Sequence, residues 1–186
     1  VVLGGYKTKY MKKAKIFFSN LHPNIPIIET NHQTAEMIKY ANNSFLATKI
    51  SFINQLANIC QNIPGASIDD IAKTIGLDPR IGNLFLNAGP GYGGSCLPKD
   101  VKAIMNFSSK IGVSPLLLNA VEKSNQQQID NTINLIEKNC GNLKGKNISI
   151  LGLSFKPKTD DIRDSISLLI IEKLLKKQAK IKVHDP

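Results

Sequence analysis

Apolar residues recur along this chain in two rhythms. Short apolar runs bounded by Gly or Pro predict strands, and stretches with apolar positions three and four apart predict helices. Val1-Val-Leu-Gly-Gly5 reads as a strand that ends in glycines. From Thr8 to Leu21 the pattern is helical, with Tyr10, Met11, Ala14, Phe17 and Phe18 on one side. His22-Pro-Asn-Ile-Pro26 breaks it, and Pro26-Ile-Ile-Glu29 predicts a short strand. This is strand–helix–strand, the tail of an α/β sheet. Two strands and one helix bury themselves poorly, so the chain is expected to be a piece of something larger, beginning and ending within sheet elements.

Thr30 to Asn62 predicts a first long helix, with Ile38, Ala41, Phe45, Ile50, Ile53, Leu56, Ala57 and Cys60 at helical intervals. Thr30 followed by Gln33 fits a capping box. Lys39 and Asn43 are four apart and share a face of it; spacing alone fits a solvated lysine and a harmless asparagine. Pro64-Gly65 ends the helix, Ser67 opens a short one from Ile68 to Ile75, and Leu77-Asp-Pro-Arg-Ile-Gly82 is a turn that exposes Arg80. Lys102 to Ile111 is helical again. Ser114 and Pro115 open another helix that runs to about Asn139 and stops at Cys140-Gly141. Its polar middle, Ser124 to Gln128, reads as a solvated or subunit-facing stretch.

A second α/β segment follows. Ile148 to Leu153 has the composition of a strand buried on both faces. Ser154 to Asp164 is a polar loop, Asp164-Ser165 caps a helix reaching Gln178, and Ala179 to His184 is the next strand. Such a βαβ unit has parallel strands, and its ligands lie at the carboxyl ends of the strands. The loop carrying Phe155, Lys156 and Arg163 is at that end. No Gly-x-Gly-x-x-Gly appears in this unit, so a dinucleotide fingerprint is absent from it. The fold class expected is α/β overall: an all-helical central dimerisation domain at 31–141, flanked by partial Rossmann-like βαβ segments at 1–30 and 142–186. Two long helices with broad apolar faces suggest a homodimer built on the central segment.

Composition narrows the classes. The chain has 186 residues, 42% of them hydrophobic, enough for one or two domains with a core. Its formal net charge of +10 favours an anionic partner. The lysines are scattered and lack the aromatic interleaving of single-strand binders, which argues against nucleic acid. Cys60, Cys96 and Cys140 form neither a disulfide framework nor a metal spacing, so no metal is expected and a reducing compartment, the cytoplasm, is. No run is long and apolar enough to span a bilayer, so no membrane role is expected.

The chemistry concentrates in Phe85-Leu-Asn-Ala-Gly-Pro-Gly-Tyr-Gly-Gly-Ser-Cys-Leu-Pro-Lys-Asp100. Gly89, Gly91, Gly93 and Gly94 allow a ligand to approach the backbone closely, and Pro90 stiffens the loop. Pro98 reads as the first residue of a helix, which places Cys96 just ahead of a helix N-terminus. There the macrodipole and free N–H groups favour a thiolate. Asp100, in the first turn, is within reach of a group bound at the sulfur. A lone cysteine behind a glycine turn also fits ordinary core filling.

The run Gly91-Tyr-Gly-Gly-Ser-Cys-Leu-Pro-Lys-Asp100 resembles the active-site motif of the nucleotide-sugar 6-dehydrogenases, the UDP-glucose/GDP-mannose dehydrogenase family. Lys39-Tyr-Ala-Asn-Asn43-Ser-Phe-Leu, Asp78-Pro-Arg80-Ile-Gly and Phe155-Lys-Pro-Lys-Thr-Asp-Asp-Ile-Arg163-Asp-Ser resemble further segments of that family. The resemblance covers essentially the whole chain, which corresponds to only part of a family protein. It implies oxidation of a sugar C6 alcohol to a carboxylate, with NAD as cofactor and UDP-glucose as substrate. GDP-mannose or a UDP-N-acetylhexosamine is the alternative substrate, and a catalytically inactive oligomerisation fragment the alternative role. It implies that Cys96 forms the thiohemiacetal and thioester, that Lys39 and Asn43 donate to the oxyanion, and that Asp100 orients water or steers protons. Arg80 would reach a neighbouring subunit's sugar site. Asn87, Ala88, Gly89, Pro90, Gly91, Tyr92 and Gly93 would hold the substrate through backbone N–H groups, with Phe155 and Lys156 beside them. Lys99 and Arg163 would lie toward the cofactor. The family's NAD fingerprint is expected upstream of Val1, so the chain alone is expected to be inactive.

Overall fold

The computed structural model describes residues 1–185. The molecule is mixed α/β with short parallel sheets, and it resolves into two compact units with the boundary between Asn43 and Ser44.

The first unit holds β1 (Val2–Gly4), α1 (Thr8–Leu21), β2 (Ile28–Thr30) and the start of α2 (His32–Cys60). β1 and β2 pair in parallel, Val2 opposite Ile28 and Gly4 opposite Thr30, with α1 as the crossover that parallel pairing needs. Gly4 is required by crowding: a Cβ there would stand 2.9 Å from the His32 backbone. The apolar side expected of α1 is not buried. No residue of that helix is buried, and Tyr10 and Phe17 are more than half exposed, because two three-residue strands offer too little surface to cover them. The cap of α2 also differs from expectation. Thr30 is committed to the strand, and the side chain of Asn31 instead accepts from the backbone N–H of Thr34 at 2.8 Å.

The second unit continues α2 and adds α3 (Ile68–Gly76), α4 (Leu97–Lys110), α5 (Leu116–Cys140), β3 (Asn147–Leu151), α6 (Ile166–Lys176) and β4 (Lys180–His184). Among the described residues no strand lies between β2 and β3. Ser67 caps α3 as its sequence suggests, accepting from the Asp70 N–H at 3.2 Å. α5 begins one residue later than expected, with Pro115 at its cap position.

β3 and β4 pair in parallel, Asn147 opposite Lys180 through Leu151 opposite His184. Ile148 and Ile150 pack on a core of Ile129, Ile133, Leu143, Ile166, Ile170, Leu174 and Ala179. Burial along β3 alternates, and Leu151 is 80% exposed. The strand expected to be buried on both faces is therefore covered on one face only. A second core joins Ala47, Tyr92, Val101 and Val121. α5 serves both: Val121 enters one core, Ile129 and Ile133 the other, and Asn125 and Gln128 are buried between them. Within the polar middle of this helix Asn125 and Gln128 thus face inward, while Gln126 and Gln127 are exposed as the solvated reading expects.

Candidate active site

Cys96 stands at the head of α4, with Leu97 as the first helical residue and Pro98 in the first turn. The thiol is exposed, 3.8 Å from the Ser95 hydroxyl. Its backbone carbonyl accepts from the Asp100 N–H at 2.9 Å, the first bond of the helix. An exposed sulfur at a helix N-terminus is a good position for a nucleophile. Asp100 is 2% exposed and carries a salt bridge from Lys99. Its carboxylate is therefore held in place one turn from the thiol, and the Lys99 ammonium is engaged with it.

The Gly-rich loop before Cys96 is tied down by side-chain amides. Gly89 donates its N–H to Asn54 Oδ1 at 2.7 Å and accepts from Gln128 Nε2 at 2.9 Å. Tyr92 donates its N–H to Asn125 Oδ1 at 2.8 Å and accepts from Asn125 Nδ2 at 3.0 Å. This corrects the expectation that the backbone N–H groups from Asn87 to Gly93 all face a ligand. Those of Gly89 and Tyr92 are spent inside the protein, and Pro90 has none. Tyr92 itself is a core residue, 4% exposed, with its hydroxyl enclosed. Burial pushes its phenol well above the ordinary value, with the Glu122 carboxylate as the second cause. Asn87 and Pro90 are exposed, and Ala88, Gly91 and Gly93 half-buried. Gly91 and Gly94 have φ of +121° and +84°, where side chains are rarely accommodated.

The loop after β3 closes over the same segment. Asp164 O accepts from the Gly94 N–H at 3.1 Å. A Cβ on Gly93 would collide with that carbonyl, and one on Gly94 with the Phe155 ring. Lys156 Nζ lies 5.2 Å from the centroid of Phe155. Ser165, expected to cap α6, makes no cap bond; its hydroxyl donates to Leu153 O at 2.6 Å and holds the loop to the end of β3. Arg163 grips Asp161 with two bonds, Nε to Oδ1 at 2.9 Å and Nη2 to Oδ2 at 2.7 Å. The guanidinium holds the Asp161 carboxyl down at about 2. Arg163 is raised in turn, chiefly by its bond to Asp161. Asp164, the residue after Arg163, is bonded to Gly94, two residues before the thiol.

Cys96, Asp100, Lys99, the Gly-rich loop, Phe155 and Arg163 therefore meet around the head of α4. Arg80 is exposed and forks onto Asp78, Nη2 to Oδ2 at 2.6 Å, while Lys49 Nζ donates to Ile81 O at 3.0 Å and pins that turn. Lys39 and Asn43 sit one turn apart on α2 within the first unit; Asn43 is buried and accepts from Asn42 Nδ2 at 3.3 Å. Sequence reasoning missed Asn54, Asn125 and Gln128. For Asn125 and Gln128 the signal available was their spacing, since Val121, Asn125, Gln128, Ile129 and Ile133 fall on one helical face. Among the described residues no group of three or more His, Cys, Asp or Glu could hold a metal ion, and no helix is long and apolar enough to cross a membrane.

Residues 33–127 match the central domain of the UDP-glucose/GDP-mannose dehydrogenase family, and residues 149–186 match that family's UDP binding domain. The chain is 47% identical over 173 residues to a UDP-glucose 6-dehydrogenase of Rickettsia felis, covering 92% of this chain and 38% of that protein. It is 46% identical over 176 residues to UDP-glucose 6-dehydrogenase TuaD of Bacillus subtilis, covering 94% and 38%. It thus spans well under half the length of these relatives. Among solved structures, a UDP-glucose dehydrogenase from Pyrobaculum islandicum superposes with a TM-score of 0.89 at 35% identity, covering all of this chain and 42% of that one. A UDP-D-ManNAc dehydrogenase from Pyrococcus horikoshii follows at 0.84 and 25% identity, covering 100% and 44%. With its thiol at the head of α4 and its glycine loop beneath the segment after β3, the chain belongs to the UDP-glucose/GDP-mannose dehydrogenase family.

Proposed function

We propose that the protein carrying this chain is a UDP-glucose 6-dehydrogenase, which oxidises the sugar C6 alcohol to the carboxylate of UDP-glucuronate through a covalent bond to Cys96. The observation that carries this reading is the exposed Cys96 thiol at the head of α4, with the buried Asp100 carboxylate one helical turn on. The sulfur would bond to C6 at the aldehyde level. The acid would leave when water cleaves that bond at the ester level, returning the thiol. Asp100, buried one turn away, would orient that water. The family resemblance adds Lys39 and Asn43 as donors to the oxyanion, and Arg80 as a contact to a neighbouring subunit's substrate.

The exposed, cationic Arg163 fits the pyrophosphate of a dinucleotide. Arg163 and Lys99 would hold NAD, which when bound would take up the hydride equivalents lost by the sugar. Phe155, Lys156 and the segment from Asn87 to Gly93 would hold the nucleotide sugar. The N–H groups of Asn87, Ala88, Gly91 and Gly93 are the ones assigned to it.

In this reading residues 1–30 are the tail of an NAD-binding domain, 31–141 an all-helical central domain, and 142–186 the first Rossmann-like βαβ of a UDP-binding domain. Exposed Phe45, Phe52, Ile59, Leu116 and Leu117 on α2 and α5 support a homodimer through the central helices. Three free thiols support a cytoplasmic setting. The likeness to a UDP-D-ManNAc dehydrogenase favours a UDP-N-acetylhexosamine as the second candidate substrate.

The test is the full-length protein with NAD and each nucleotide sugar, read as NADH and as acid. UDP-glucose is expected to give both, and Cys96→Ser to abolish acid formation. Undiminished acid from that variant would remove the covalent step.

A further inference from the structure

We propose that Asn54, Asn125 and Gln128 are positioning residues. Their three amides fix the backbone of the Gly-rich loop and thereby set where the Cys96 thiol stands. The catalytic half of this inference rests on the functional reading above; the clamp itself is a matter of this chain's geometry.

The loop needs an outside constraint. Glycine loses more conformational freedom on folding than any other residue, and four of the six residues from Gly89 to Gly94 are glycine. Tyr92 anchors the loop in the core by its ring, but a single anchored side chain does not select one backbone path among glycines. Four hydrogen bonds do. Both polar groups of Gly89 are taken, by Asn54 on α2 and Gln128 on α5. Both polar groups of Tyr92 are taken by Asn125 alone. The loop is held as a strand is held by its neighbour, except that the neighbour is made of side chains.

The amides cannot be turned round. The Gly89 N–H requires an oxygen from Asn54, and the Tyr92 N–H and C=O require the oxygen and nitrogen of Asn125 in the order observed. Gln128 is oriented from behind, because Asn58 Nδ2 donates to its Oε1 at 2.8 Å and leaves Nε2 for Gly89. Asn54 and Asn125 are 1% and 9% exposed, so water does not readily replace them. The fit is mutual: a Cβ on Gly91 would stand 2.7 Å from Asn125 Oδ1. With Gly94 tied to Asp164 O, the chain is fixed at residues 89, 92 and 94 before it reaches the sulfur at 96. Geometry set this way by a supporting shell is what a nucleophile needs.

The test uses the full-length protein. Asn125→Ala and Asn54→Ala are compared with Ile133→Ala, a truncation on α5 in the other core. Two readouts are taken: kcat for acid formation, and hydrogen exchange at the Gly89 and Tyr92 amides. Asn125→Ala should speed exchange at Tyr92 by about tenfold or more, and Asn54→Ala should do so at Gly89, because each loses its acceptor. Asn125→Ala should lower kcat by about 10²-fold, the scale of an ångström's misplacement of reacting groups. Ile133→Ala should lower the Tm at least as far while leaving both readouts within about threefold, since its core is separate. Should Asn125→Ala fail to fold, Gly91→Ala, whose methyl displaces the Asn125 amide, gives the same readouts. Unchanged exchange in the amide variants, or an equal loss of kcat in Ile133→Ala, overturns the proposal. A wild-type protein without dehydrogenase activity sinks the functional reading instead, and the exchange arm then decides the clamp by itself.

Discussion

Asn125 holds Tyr92 by both of its backbone polar groups, accepting from its N–H at 2.8 Å and donating to its C=O at 3.0 Å. One helical side chain thus does for the loop what a strand neighbour does in a sheet. Tyr92 in return places its ring in the core with Ala47, Val101 and Val121. The loop's conformation and the packing of α2, α4 and α5 are therefore set together.

Asn54 gives the first prediction. It is 1% exposed, and its Oδ1 is the acceptor for the Gly89 N–H. Its own Nδ2 has no partner among the described residues, so one buried donor is already unsatisfied. Asn54→Ala removes that donor along with the Oδ1 acceptor, leaves the Gly89 amide unsatisfied in its place, and should destabilise the protein by about 1–3 kcal/mol. A lower urea midpoint at unchanged m-value would show it.

Gly94 gives the second. Its φ is +84°, and the space beyond its Cα is filled by the Phe155 ring. Gly94→Ala combines backbone strain with a clash and should cost about 1–3 kcal/mol or more. Adding Phe155→Leu should return part of that loss by making room, leaving only the backbone strain. A double-mutant cycle on thermal unfolding reads the coupling; strictly additive losses would show that the ring is not what occupies the space.

The Asp161–Arg163 pair sets a pH dependence. Asp161 is held at about 2, below its ordinary 3.8, first by the Arg163 side-chain bond and then by its backbone N–H. A carboxylate lowered in the folded state contributes fully above its ordinary value and loses that contribution as the pH falls through the folded one. The segment between Leu153 and Ser165 should hold its arrangement at pH 4 and loosen toward pH 2. Arg163 is exposed and Asp161 half-buried on a surface loop, so the effect is local rather than global. Carboxyl chemical shifts should give a midpoint near 2 for Asp161, moving up toward 3.8 in Arg163→Gln.

Leu174 tests the second core. It is fully buried on α6, in the cluster beneath β3 and β4. Leu174→Ala should cost about 2–5 kcal/mol, the loss depending on how far the cluster closes in. Alkylation of Cys96 in the folded variant should proceed at the wild-type rate, because the thiol belongs to the other core's helix. A slowed reaction would show that the two cores act as one.

The order of strands and helices was legible from apolar spacing and from Gly and Pro, because those signals are local. The span of α1, the Ser67 cap and the helix that follows the Cys96 motif needed nothing beyond neighbouring residues. Family membership was likewise legible, in a run of ten residues from Gly91 to Asp100. Errors arose where a residue had two uses. Thr30 suits a helix cap but is taken by β2; Ser165 suits a cap but reaches Leu153 instead. Ser124 to Gln128 looks solvent-facing because its residues are polar, yet Asn125 and Gln128 are buried where the backbone of a distant loop supplies their partners.

The sequence by itself determined the elements, the cysteine ahead of a helix and the glycine-rich loop before it, since these depend on covalent neighbours and on residue chemistry. Only the tertiary structure decided which N–H groups of that loop remain for a ligand and which are spent on Asn54 and Asn125. It also decided that the segment after β3 closes on Gly94. The physical reason is that a buried polar group must find a partner, and that partner can stand anywhere along the chain.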